Sequence, residues 1–305
     1  MPKRGLSASS STAAPNGGDR RARQRRRECR QSASSAITPL QGLAQDILLG
    51  KQVVFVTGAG ISAASGIPTF RGSSDAVWSN FVFEWGTREK FEACPLEWYQ
   101  TFWSTYFSDE LLASYAPNAA HTALSEICER FQCKCITQNV DGLHSHAASR
   151  IEEEMLIEIH GRAGKYKCFT EDCPYEMERE QVASMPTEIA SDKDLPACPS
   201  CASVMCPNCL LFDEDYESHD TYRFDDAVAW LENADTIVFI GTSFAVGITS
   251  IALEKASDRS PPASVFNINP ALTVPKSKLP KAIAIDVAEK AEEALPRLRD
   301  MLLKK

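Results

Sequence analysis

Three pairs of cysteines stand close together in this 305-residue chain: Cys168 and Cys173, Cys198 and Cys201, Cys206 and Cys209. Two such pairs, separated by about two dozen residues, can close a tetrahedral all-thiolate zinc site. A site of that kind stabilises a module too small to have its own core. Spacing alone leaves open whether the second or the third pair completes it. A second motif with chemical meaning is Gly58-Ala-Gly60, directly after an apolar run and before the small-residue segment Ser62–Gly66. Such a turn lets the backbone approach a pyrophosphate and aims a helix N-terminus at its charge, although a plain strand-to-helix turn can carry the same glycines. The acidic residue that completes a dehydrogenase fingerprint about 20 residues on is not evident. Asn139 and Asp141 sit on a strand-to-helix turn, where they fit either ligand contacts or ordinary cap and turn chemistry.

The elements that must position these groups follow from the apolar pattern. Gln52–Thr57 is a continuous apolar run ending at the glycines, as a strand buried on both faces reads. Lys134–Thr137, Thr236–Ile240 and Ser264–Ile268 read as further strands, and Thr38–Leu49, Ala119–Phe131, Phe224–Asn233 and Ala288–Leu303 as helices. Strands alternating with helices predict an α/β fold with a parallel sheet. Residues 165–212 break this pattern, hold six of the eleven cysteines and read as a separate small module.

Composition bounds the rest. Hydrophobic residues make up 44% and charged residues 24%, which suits a soluble globular domain, and no run is long enough to span a membrane. The net charge of −9 is uneven: residues 1–36 hold nine Lys/Arg against Asp19 and Glu28. The remainder is acidic, which argues against nucleic-acid binding through a broad basic face. The basic, Ser- and Ala-rich 1–36 segment reads as a disordered tail. Arg20–Arg27 favours a nuclear address, with a mitochondrial transit peptide as the alternative. With no apolar signal segment and an odd cysteine count, the cysteines suit metal better than disulfides.

The opening motif runs further than its glycines. Thr57-Gly-Ala-Gly-Ile-Ser-Ala-Ala-Ser-Gly-Ile-Pro-Thr-Phe-Arg71 resembles the first motif of the sirtuins almost position for position. Thr137-Gln-Asn-Val-Asp-Gly-Leu-His144, Glu158-Ile-His-Gly161, Gly241-Thr-Ser243 and Asn267-Ile-Asn269 follow in the family's order. The resemblance spans about residues 38–303. It implies a Rossmann-type sheet with helices on both faces, an inserted zinc-ribbon module at about 165–212, and a catalytic domain over 37–303. It also implies an NAD-dependent protein-lysine deacylase, which passes the acyl group of an acylated-lysine substrate to ADP-ribose and releases nicotinamide.

Residue by residue, the resemblance assigns Gly58, Ala59, Gly60 and Ser62 to the phosphates and ribose of NAD. Phe70 and Arg71, with Ile67 and Pro68, fall on the loop over the nicotinamide. Gln138 meets the adjoining ribose, and Asn139 and Asp141 line the nicotinamide pocket. Gly241, Thr242 and Ser243 meet phosphate and ribose from a second strand end, Asn267 and Asn269 the adenosine ribose, and Lys290 the adenine through its backbone. His160 is the general base that deprotonates a ribose hydroxyl, a task suited to an imidazole near neutral pH. Of the other four histidines, His144 matches a family position of structural kind; His121, His146 and His219 carry no such support. The family pattern also assigns Cys168, Cys173, Cys198 and Cys201 to one structural zinc.

Several positions depart from the family. Cys206, Cys209 and Leu210 replace an Arg and the valines that pair with substrate backbone. Thr69 stands where deacetylases carry Asp and matches the desuccinylase-like class. That class clamps an acidic acyl group with a Tyr and an Arg, where this chain has Phe102 and Thr105. The expected substrates therefore carry neutral acyl groups, unless Arg88 reaches in from another register. Trp98, Tyr99, Phe102 and Trp103 read as helix packing or as an acyl-tunnel lining. A protein ADP-ribosyltransferase using the same NAD site, and a non-enzymatic zinc-ribbon module, are the competing functions.

Overall fold

The computed structural model describes residues 37–68, 80–170, 173, 175–178, 189–271, 274, 275, 277 and 284–304. The basic tail 1–36 and Thr69, Phe70 and Arg71 of the opening motif lie outside the described residues. Among the described residues, nine strands form two sheets. Strands β1 (Val53–Thr57), β2 (Lys134–Thr137), β3 (Leu156–Glu158), β7 (Thr236–Ile240), β8 (Ser264–Ile268) and β9 (Ala284–Val287) make a six-stranded sheet ordered β3-β2-β1-β7-β8-β9. Every pairing in it is parallel. Strands β4 (Gly161–Lys167), β5 (Glu176–Glu178) and β6 (Cys206–Cys209) form a separate antiparallel sheet ordered β5-β4-β6.

The parallel sheet is covered on both faces, as its apolar strands require. Phe55, Val238, Ile240, Phe266 and Ile268 pack with helices α1 (Pro39–Leu48), α2 (Ala119–Phe131) and α5 (Ala291–Leu303). The alternate residues Val54, Val56, Ile136, Ile237, Phe239 and Val265 pack with α3 (Phe224–Asn233) and α4 (Gly247–Asp258). Each side chain of β1 and β7 is buried, so a change such as Phe55→Ala opens a cavity at a cost of about 3–5 kcal/mol. Among the described residues, no helix is long and apolar enough to cross a membrane.

The register sets up the site. Thr57 lies opposite both Thr137 and Ile240, Thr137 opposite Glu158, Ile240 opposite Ile268, and Ile268 opposite Val287. The C-terminal residues of all six strands thus form one row. The chain order reverses between β1 and β7, and ligands of open parallel sheets bind outside the strand ends at such a switch point.

A third apolar cluster lies around the small sheet. It joins Trp85, Phe91, Trp98, Tyr99, Phe102 and Trp103 to Tyr166, Met205, Cys206 and Cys209. The Tyr99 hydroxyl donates to Met205 O at 2.7 Å and the Trp98 indole N–H to Trp85 O at 2.6 Å. The aromatic stripe is buried in this cluster, with Phe102 4% exposed.

Candidate active site at the sheet switch point

The two central loops lock together through backbone. Gly60 N–H donates to Gly241 O at 2.9 Å and Gly58 N–H to Ile240 O at 2.9 Å. A Cβ on Gly60 would stand 2.6 Å from the Gly241 Cα, and one on Gly241, whose φ is +59°, would stand 2.6 Å from the Gly60 Cα. Glycine is needed here for loop-to-loop approach. The segment after β1 also differs from the expected helix start: two 3₁₀ turns, Ala59–Ile61 and Ala63–Ser65, end at Gly66 in the left-handed region. Small residues with no apolar periodicity cannot hold a long helix against a core, so the segment closes in tight turns.

Beside this lock, the β2 loop delivers a polar cluster. The Ser62 hydroxyl donates to Asp141 Oδ2 at 2.7 Å, and Leu143 N–H donates to Asp141 Oδ1 at 2.9 Å. Burial raises the Asp141 carboxyl, opposed by Leu143 N–H and then by Ser62. Asn139 Nδ2 donates to Gly58 O and to Ser62 Oγ, both at 3.2 Å, while its buried Oδ1 has no partner. Such a buried acceptor is costly unless a ligand donor meets it. Gln138 Nε2 donates to Thr57 O at 3.1 Å and to Thr242 Oγ1 at 3.3 Å, tying β2 to β1 and β7.

Two further histidines support the cluster. His121 Nδ1 accepts Asn118 N–H at 3.3 Å, which leaves Nε2 as the protonated nitrogen of the neutral ring, 3.4 Å from Ser62 Oγ. His144 Nε2 lies 3.0 Å from Thr57 Oγ1, and the two rings are 5.1 Å apart. Burial lowers His121 to about 4; burial and then the neighbouring His121 lower His144 to about 3. Motif reading gave His121 no role. Its signal was its place three residues after Asn118, where a helix-capping pair forms.

His160 follows β3 in the same row. Its Nδ1 lies 2.7 Å from Gln138 O. A carbonyl only accepts, so Nδ1 carries the proton and Nε2 presents the lone pair. Loss of water around the ring lowers it to about 4, opposed by the Gln138 carbonyl. The imidazole is therefore neutral at pH 7. Nε2 lies 3.4 Å from the Tyr216 hydroxyl.

On the β7–β8 side, Thr242 is buried and Ser243 exposed. Asn269 Nδ2 donates to Thr242 O at 3.1 Å, and Asn269 N–H to Val287 O at 3.1 Å. Asn267 is buried within β8 and donates to Asp286 Oδ1 of β9 at 2.8 Å. Lys290 is exposed and begins α5, its carbonyl accepting Ala294 N–H at 3.0 Å. The site thus gathers Gly58, Gly60, Ser62, Gln138, Asn139, Asp141, His160, Gly241, Thr242 and Asn269 by direct hydrogen bonds or backbone contact. A close backbone cradle and an orphaned buried acceptor fit a dinucleotide carrying a carboxamide.

The four thiols of Cys168, Cys173, Cys198 and Cys201 lie within 4.8 Å of one another. Cys168 and Cys201 are 3.5 Å apart and Cys173 and Cys198 3.7 Å. Zinc bound at about 2.3 Å to four sulfurs sets edges of about 3.8 Å, so the donor set fits zinc. Cys206 and Cys209 stand apart from this cluster, buried on β6. Burial pushes the Cys209 thiol up to about 12 and Cys206 well above the usual range.

A parallel sheet whose switch point carries this polar cluster defines a dinucleotide-binding α/β protein. The Sir2 family profile matches residues 58–247. The NAD-dependent deacetylase sir2E of Dictyostelium discoideum is 38% identical over 271 residues, covering 86% of this chain and 76% of that protein. This chain belongs to the Sir2 family. A solved Sir2 homolog–NAD complex is 30% identical with a TM-score of 0.66, covering 86% of this chain and 93% of that one. A Sir2–p53 peptide–NAD+ complex is 26% identical with a TM-score of 0.60, covering 84% and 95%.

Proposed function

We propose that this chain is an NAD-dependent protein-lysine deacylase acting on acylated-lysine proteins or peptides, with one structural zinc. The carrying observation is His160: a neutral imidazole, its Nδ1–H fixed on Gln138 O, presenting Nε2 beside the row of strand ends. The names of the deacetylase relative and of the NAD and peptide complexes support this reading. When bound, NAD supplies a ribosyl carbon that accepts the acyl oxygen as nicotinamide leaves.

The chain's own groups do the rest. Gly58, Ala59, Gly60 and Ser62 on one loop and Gly241, Thr242 and Ser243 on the other hold phosphates and ribose, with Asn267, Asn269 and the Lys290 backbone toward the adenosine end. Asn139 Oδ1 accepts a carboxamide N–H, and Asp141, steadied by Ser62, lines the same pocket. Phe70 and Arg71 belong to the covering loop by motif. His160 Nε2 takes a proton from a ribose hydroxyl. Cys168, Cys173, Cys198 and Cys201 hold the zinc of a module inserted at about 165–212, with all four positions filled by protein and no role in the reaction.

Neutral acyl groups fit this chain best. Phe102 is packed among aromatics, and the Thr105 hydroxyl donates to Thr101 O at 2.7 Å. Arg88 is committed elsewhere: its Nε donates to Glu92 at 2.7 Å and its guanidinium lies 4.3 Å over the Phe169 ring. For the tail, the Arg20–Arg27 run supports a nuclear address; imaging the chain with and without residues 1–36 tests it, and mitochondrial enrichment of the full chain favours the alternative.

The test of the activity is incubation with NAD and an acetyl-lysine peptide. Nicotinamide together with free lysine is expected. Nicotinamide with labelled protein would point to ADP-ribosyl transfer, and no nicotinamide to a non-enzyme. His160→Ala should lower deacylation roughly 10²–10⁴-fold in a folded protein, the usual worth of one acid–base group. More than half of wild-type turnover in that variant removes the role.

A further inference from the structure

Tyr216 lies on the loop after β6, and no role falls to it in the reading above. The ring of Tyr216 stacks with two others, near-parallel to His160 (10°, centroids 5.9 Å) and to Phe224 (8°, 5.2 Å). Its hydroxyl accepts Ile248 N–H at 3.1 Å in the first turn of α4, a helix whose N-cap residue, Val246, offers no capping side chain. That acceptance leaves the hydroxyl hydrogen for His160 Nε2 at 3.4 Å. The fit is close: a Cβ on Gly247 would stand 3.1 Å from the Tyr216 ring.

The loop carrying Tyr216 is itself anchored. Glu214 and Lys167 form a buried ion pair at 2.8 Å, with side chains 2% and 0% exposed. Lys167 Nζ also donates to Cys209 O and to the Tyr222 hydroxyl, and Leu211 N–H donates to Glu214 Oε2 at 2.9 Å.

We propose that Tyr216 is a positioning residue for His160. Two handles fix the imidazole: Gln138 O on Nδ1, and the face and hydroxyl of Tyr216 toward Nε2. The contact at 3.4 Å is long for an O–H···N bond, so a substrate hydroxyl arriving at Nε2 displaces it readily. The stack, which does not use Nε2, keeps the ring plane throughout. The inference rests on His160 being the general base.

The experiment is a double-mutant cycle on the full chain with an acetyl-lysine peptide, reading kcat and both KM values. Displacement of a reacting group by about 1 Å can cost about 10²-fold. Tyr216→Leu removes stack and hydroxyl and is expected to lower kcat about 10–100-fold, with KM for NAD and peptide changed by less than about twofold. Tyr216→Phe keeps the stack and is expected to recover most of that loss. In a His160→Ala background, Tyr216→Leu should cost less than about twofold, because the group it positions is gone. Wild-type kcat in Tyr216→Leu, or the same loss with and without His160, overturns the inference. If Tyr216→Leu does not fold, Tyr216→Met, which also removes stack and hydroxyl, decides: kcat lowered by the same factor in both His160 backgrounds, or in neither, overturns the inference, and a loss confined to the His160 background supports it. Failure of the underlying reading shows separately, as full turnover in His160→Ala alone.

Discussion

At the end of the six-stranded sheet, Thr57, Thr137 and Ile240 are brought level by parallel pairing, and the loops beyond them are joined by Gly60 N–H donating to Gly241 O. In the three-stranded sheet, strands of three to seven residues leave Cys168, Cys173, Cys198 and Cys201 to be brought together from loops and strand ends. The first region is positioned by a core covered on both faces. The second has a smaller core borrowed in part from the Trp85–Trp103 segment, and a donor set that suits a metal crosslink. Catalytic geometry here follows backbone register, whereas the small lobe adds to its packing a ligand set that a metal can crosslink.

The strongest test of that contrast is metal. One zinc per chain is expected, and structural zinc is worth on the order of 10 kcal/mol to small modules. Cys198→Ser should lose most of the metal and raise protease cleavage within 165–212, while β1 and β7 stay protected from hydrogen exchange. Cys206→Ser and Cys209→Ser should each leave metal content near one. Metal loss from either would assign the half-site differently, and simultaneous opening of both sheets would remove the contrast.

Next in size is the backbone lock. Gly60→Ala places a methyl group 2.6 Å from the Gly241 Cα, so the loops must part. Overpacking of this kind costs about 1–3 kcal/mol. Denaturant unfolding should show that loss together with weakened NAD binding in calorimetry, and unchanged zinc content. Unaltered NAD affinity would show that the cradle tolerates separation.

A third test uses pH. His121 and His144 are neutral in the fold, lowered to about 4 and about 3 by burial. A lowered imidazole stabilises the fold above its unfolded pKa near 6.5 and withdraws that contribution as pH falls toward the folded value. At pH 5 each ring should cost about 2 kcal/mol relative to pH 7. Asp141, raised by burial, offsets part of this by binding a proton more readily in the fold. The denaturation midpoint should drop between pH 7 and pH 5, less so in His144→Gln. An unchanged midpoint would mean that these rings are already charged in the fold.

A separate test concerns acyl groups. kcat/KM measured on one peptide carrying acetyl, succinyl or a medium-length fatty acyl chain should not favour succinyl, because a buried unpaired carboxylate costs several kcal/mol. A succinyl value well above the others would return attention to Arg88 or to the residues of the covering loop.

Sequence patterning disclosed the strands that are apolar throughout, such as Val53–Thr57 and Thr236–Ile240, because burial on both faces leaves no polar position to confuse the reading. It missed β3 and β9, which are three and four residues long and carry Glu158 and Asp286. It also missed α4, whose buried face includes Thr249, Ala252, Ala256 and Ser257, small or polar residues that weaken a 3.6-residue signal. The site motifs were legible as linear runs. The contacts between runs were not: His121 with Ser62, Tyr216 with His160, and Lys167 with Glu214 each join residues at least 47 apart in sequence, where spacing carries no information.

The mutual exclusion between Gly60 and Gly241 has a practical meaning for anyone redesigning this protein. Neither position can be varied by itself, since any side chain at one collides with the main chain of the other. Library design for altered dinucleotide preference should therefore treat the two as a single fixed unit and place its diversity on the exposed neighbours Ala63, Ala64 and Ser243, where a new side chain meets solvent first.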